Sequence, residues 1–71
     1  MTVTLQELRT AHAVGRFLLA GGRSPLPQWT SASVRRFAAS LSGASYPNGK
    51  NGLAQAVVHI GTAVTMAEQA A

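Results

Sequence analysis

The sequence predicts an all-α fold, a small three-helix bundle or orthogonal three-helix domain, with helices over about 4–20, 31–42 and 53–69. Three observations predict it. Apolar residues recur with helical spacing in three separate segments. A helix-capping residue precedes each of the first two segments. Glycine and proline punctuate the two intervals between the three.

The first helix starts at Thr4. Thr4-Leu5-Gln6-Glu7 has the form of a capping box, in which the Thr4 hydroxyl accepts from the Glu7 amide and the Glu7 carboxylate reaches back to the Thr4 amide. Val3 and Leu8 stand where a hydrophobic staple would close over that cap. Leu8, Ala11, Gly15, Leu18 and Leu19 fall within one arc and form the expected core face. Arg9 and Arg16 lie side by side beyond its edge. Phe17 falls on the opposite, polar side. It is either a contact residue for a partner or a ring covered by Leu26 or Trp29 of the following connector. Gly21-Gly22 ends the helix, because glycine adopts a positive φ without steric cost.

Pro25 and Pro27 hold the connector extended. Thr30 or Ser31 caps the second helix, whose apolar stripe is Val34, Phe37, Ala38 and Leu41. Arg35 and Arg36 face away from that stripe. A loop follows from Gly43 to Gly52, marked by Pro47 and two Asn-Gly pairs. The flanks of this loop lack the period-2 alternation of a strand pair, which leaves a hairpin the weaker alternative. The third helix begins at Gly52 or Leu53. Leu53, Ala56, Val57, Ile60, Val64 and Ala67 form its core face. Gln55, Val58, Thr62, Thr65, Met66 and Gln69 form the opposite face.

That opposite face carries the clearest functional signal. Between Asn51 and Ala67 there is no Asp, Glu, Lys or Arg. A surface helix normally carries a charged stripe on its outer side. Charged residues are 11% of the whole chain, against about 25% in an ordinary globular domain. At 71 residues one domain is expected, with little interior in which to hide a helix on all sides. Domains this small usually add a disulfide, a metal or a partner. There is no cysteine, so no disulfide. Two His, two Glu and no Asp make a four-ligand metal site hard to assemble. A protein partner, or a second copy of the chain, is therefore the expected device. Val58 and Met66 are the expected anchors, with Thr62 and Thr65 beside them and Phe17 and Tyr46 as further contact residues. A third helix packed centrally against the other two would also explain the missing charge, as the weaker alternative.

Other chemistries find less support. The net charge is +4, and Arg9, Arg16, Arg35, Arg36 and Lys50 would be the phosphate contacts of a small nucleic-acid-binding module, the alternative reading. Yet the third helix lacks the Arg, Lys and Asn of a base-reading helix, and about ten residues precede it where a helix-turn-helix has three or four. The loop Gly43-Ala-Ser-Tyr-Pro-Asn-Gly-Lys50-Asn51 departs from a phosphate-binding P-loop in spacing, in the residue after lysine and in having no strand before it. His12 and His59 sit at the margins of their core faces, and Glu7 and Glu68 at opposite ends of the chain, so no nucleophile–base–acid set is evident. No catalytic activity, cofactor or small-molecule substrate is expected. Neither a signal peptide nor an apolar run of membrane-spanning length is visible. Membrane association is the less expected outcome, and the expected location is the cytoplasm or the interior of a viral particle. A small viral or phage structural or host-modulating protein would fit this profile.

Overall fold

A computed structural model describes residues 3–70. It contains three helices: α1 (Leu5–Leu19), α2 (Ser31–Ser42) and α3 (Lys50–Ala70). They pack on one another as a small all-α bundle, with no strand among the described residues. The Thr4 capping box forms with both of its reciprocal bonds. Thr30 caps α2 through the Ser33 amide, and Gly43 ends it with a φ of 73°.

The core is built from small aliphatic groups. Val14, Val34 and Ile60 are its largest fully enclosed side chains, surrounded by Ala11, Ala38, Leu53, Ala56 and Val57. Helices lined by alanine and glycine approach closely, and α1 and α3 do so at two points. Gly15 meets Val57, where an added Cβ would overlap the Val57 methyl group. One turn away, Gly61 leaves room for the His12 ring, whose Nε2 lies 3.0 Å from where a Cβ would stand. With Arg9 paired to Glu68, these contacts run in opposite directions along the two chains. The helices α1 and α3 are thus antiparallel.

Three expectations are corrected. The helix α3 starts at Lys50, before the expected Gly52 or Leu53. Gly49, at a φ of 95°, makes the turn, and the Leu53 amide bonds to its carbonyl at 3.2 Å. The second Asn-Gly pair therefore lies inside the helix. Gly52 is needed there for space: a Cβ would overlap the Pro47 carbonyl, so the loop packs directly on the first turn of α3. On α1 the buried arc reaches Val14, only 1% exposed, beyond the expected set, while Leu18 and Leu19 are only partly buried. The reason is that α1 contacts both other helices, so the arc it buries is wider than one stripe. On α2, Leu41 does not join the core; it is 37% exposed at the end of the helix.

The length of α3 explains its uneven burial. Twenty-one residues rise about 31 Å, close to the 32 Å long axis of the molecule. The fully buried residues of α3 end at Ile60, and Val64 and Ala67 are half-buried.

Candidate functional site

The outer face of α3 is open. Gln55, Val58, Thr62, Thr65, Met66 and Gln69 are all exposed. Val58 is 65% and Met66 64% exposed. The helix packs against both α1 and α2, so central packing accounts for one side of its uncharged sequence. It does not account for the other, which faces outward without a single ionised side chain from Asn51 to Ala67.

The chemistry of this face follows from local bonding. The Thr62 hydroxyl donates to the Val58 carbonyl and the Thr65 hydroxyl to the Gly61 carbonyl, both at 3.1 Å. This back-bonding uses the hydroxyl protons within the helix. What remains outward is methyl groups, oxygen lone pairs, the Val58 and Met66 side chains and the terminal amides of Gln55 and Gln69.

A shallow groove of about 280 Å³ runs along one edge of the face. Its walls are Leu41 and Ser42 at the end of α2 and His59, Thr62, Ala63 and Met66 on α3. The displaced Leu41 and the exposed Met66 thus flank one hollow. Its floor is held by a chain of hydrogen bonds. Tyr46 bonds to His59 Nδ1 and lies edge-on to its ring with centroids 5.5 Å apart. The Tyr46 hydroxyl also meets Ser42 Oγ at 2.9 Å, and Ser42 Oγ donates to the Ala38 carbonyl at 3.0 Å. One assignment uses each proton once: His59 to Tyr46, Tyr46 to Ser42, Ser42 to Ala38. Tyr46 is therefore an internal brace, packed on the core, that fixes the groove-lining His59. Its spacing from Ser42 gave no indication of this, because the bond to His59 depends on how the loop folds.

Phe17 lies elsewhere. Its ring sits beside Gly22, where a Cβ would overlap it, and it remains 52% exposed. Of the two outcomes expected for Phe17, cover by Leu26 or Trp29 of the connector does not occur. Trp29 turns edge-on to Phe37 at 5.8 Å, and Leu26 packs on the central core.

The basic residues are dispersed over the three helices and, at Arg23, the connector. Arg9 forms an ion pair with Glu68 at 2.8 Å, both half-exposed. Exposed pairs of this kind contribute about 0–1 kcal/mol. Arg35 donates to Asn48 Oδ1 at 2.7 Å, and its Nε is buried without a hydrogen-bond partner. Arg35 and Arg36 share a hollow of about 340 Å³ with Ser45 and Asn48. Arg16 is exposed near His12, and Lys50 is exposed in the first turn of α3. Burial, with the Arg16 charge as the smaller cause, lowers the His12 pKa below its usual 6.5.

Among the described residues no group of three or more His, Cys, Asp or Glu side chains is placed to hold a metal ion. Nor is any described helix long and apolar enough to cross a membrane. No protein-family model matches the chain, and no curated protein or solved structure matches it significantly.

Proposed function

We propose that this protein acts by binding another protein surface through the outer face of α3, with Val58 and Met66 as anchors, and not by catalysis. One observation carries the reading: Val58 and Met66, the most exposed large hydrophobic side chains among the described residues, stand on one helix face free of charge. The six cations of the chain all lie outside the Asn51–Ala67 stretch. Interface centres are depleted in charge and enriched in Met and aromatic residues, with polar groups at the rim. Val58 and Met66 fit the centre of such a patch, Gln55 and Gln69 its ends. Leu41 extends it across the groove. The partner is either a second copy of the chain or a larger protein.

The test is the native mass of the protein, in an extract of its own cell and as the purified chain at several hundred micromolar. The wild type is expected to migrate in a species well above 7.4 kDa. Val58→Glu or Met66→Glu places a carboxylate in the patch centre and should release the chain to its own mass with helicity unchanged. Gln6→Glu, exposed on the first turn of α1, should leave the complex intact. A wild type that runs at 7.4 kDa both in the extract and at several hundred micromolar, or a complex indifferent to both α3 substitutions, overturns the reading.

A further inference from the structure

The outer face of α3 has an internal symmetry. Gln55, Thr62 and Gln69 are spaced by sevens, with Val58 and Thr65 interleaved at the complementary positions. This is the spacing of a coiled-coil seam. The order of residue types along it also reads similarly from either end about Thr62. Gln55 mirrors Gln69, Val58 mirrors Met66, and His59 mirrors Thr65. On a helical wheel Thr62 lies at the middle of the arc these residues span.

From this arrangement we infer that the occupant of the face is a second copy of the same chain, its α3 antiparallel to the first, with the two-fold axis at Thr62. The inference rests on the contact reading proposed above and commits it to one partner. In a two-fold dimer the same patch serves both copies, so the patch must be complementary to itself. Here most layers of the seam match like with like, Gln55 with Gln69, Val58 with Met66 and Thr62 with Thr62 of the second copy, while His59 meets Thr65. Leu41 of each copy flanks the groove beside Met66.

Electrostatics select this face. Two copies that each carry +4 repel, and most approaches bring arginines together. An approach over α3 from Gln55 to Gln69 brings only Arg9, whose charge is offset by its pairing with Glu68, the sole charged residue in that span. The antiparallel orientation also sets the two helix dipoles head to tail, which parallel pairing does not.

The available area sets the strength. The seam from Gln55 to Gln69 is about 21 Å long and about 10 Å wide. Such a strip, even with the groove edges added, falls short of the about 800 Å² per partner of a standard interface. On a molecule whose whole surface is 4645 Å², the seam makes a weak, reversible dimer. Its dissociation constant is expected on the order of 100 µM, as suits a contact below standard size.

The lack of cysteine gives a direct test on the purified full chain. A single Thr62→Cys places the only thiol of each copy on the two-fold axis, so mild oxidation should link two copies. It should do so at least tenfold faster than Gln6→Cys, which reports random collision. Gln55→Cys should link to itself no faster than that collision control. A mixture of Val58→Cys and Met66→Cys should give the mixed disulfide, recognised by its mass, in excess over either homodimer. Light scattering on the wild type should rise from 7.4 kDa toward twice that mass at several hundred micromolar, and Val58→Glu should stay at the lower value. Circular dichroism on each variant confirms that the helices persist. Rapid self-linking of Gln55→Cys would indicate parallel pairing and overturn the inference. A rise in mass without Thr62→Cys linking overturns the axis while leaving α3 as a contact face. A constant mass with no linking overturns self-pairing altogether, and the contact reading then rests on the mass in the cell extract.

Discussion

Replacing Gly15 by Ala tests the packing that holds α3 in place. Considered alone, the change favours the helix: glycine in a helix interior costs about 1 kcal/mol relative to alanine. The structure predicts the opposite outcome. The new Cβ would overlap a Val57 methyl group and stand 3.3 Å from a Val34 methyl group, and both residues belong to the core. Overpacking of this kind costs about 1–3 kcal/mol. The net expectation is a loss of roughly 0–2 kcal/mol, centred at about 1 kcal/mol. For a domain near this size each kcal/mol moves Tm by about 4–8 °C, so the variant should melt several degrees lower. Urea unfolding followed by circular dichroism supplies the free energy, and an unchanged m-value confirms that the two states are the same. The cause can then be isolated with Val57→Ala. Alone it removes two methyl groups, at about 0.8 kcal/mol each, and leaves a cavity. Combined with Gly15→Ala, it also removes the obstruction. The double variant should be more stable than the sum of the singles predicts by about 1 kcal/mol, beyond the roughly 0.5 kcal/mol scatter of independent sites. A Gly15→Ala protein that melts higher than wild type, or singles that simply add, would refute the close approach of α1 to α3.

Gly52→Ala should destabilise by more than about 1 kcal/mol, because its Cβ would meet the Pro47 backbone carbonyl, which yields less easily than a side chain; thermal melting measures it. Stability should depend on pH through His12. Its folded pKa lies below 6.5, so the unfolded chain takes up the proton first. The His12 contribution is therefore fully present above pH 6.5 and declines as pH falls through the lower folded value. Urea unfolding midpoints between pH 7.5 and 5 should show that decline, and His12→Gln should flatten it. Duplex DNA should bind weakly if at all, since the cations are dispersed over three helices and the connector and Arg9 is neutralised by Glu68. Tight binding that collapses with salt, and weakens in Arg35→Ala, would favour the nucleic-acid reading.

Sequence reasoning reached the helices and most of the core because local signals agreed with the final packing. The Thr4 capping box, the Gly43 stop and the Val34/Ala38 stripe each act within one turn of the chain. The exposed face of α3 was legible for the same reason: a missing charge is visible residue by residue. What escaped depends on contacts distant in sequence. The Asn51-Gly52 pair has the chemistry of a turn, yet Gly52 serves as a small residue under the Pro47 carbonyl. Leu41 fits the α2 stripe by periodicity, but the helix ends at Ser42 and leaves it at the rim of the groove. The bracing of His59 by Tyr46 joins residues thirteen apart through an irregular loop, and no period encodes it. Trp29 chose Phe37 over Phe17, an outcome set by the path of the proline connector.

The account commits itself most sharply in pairing the outer face of α3 with a second copy of the chain. Backbone amide NMR spectra of the purified chain, recorded from about 20 µM to 1 mM around the dissociation constant expected above, address it at residue resolution. The account predicts shifts and broadening at Gln55, Val58, Thr62, Met66 and Gln69, with Leu41 at their margin and the outer side of α1 unchanged. Spectra that do not change over that range, or changes centred on Arg35 and Arg36, would contradict it.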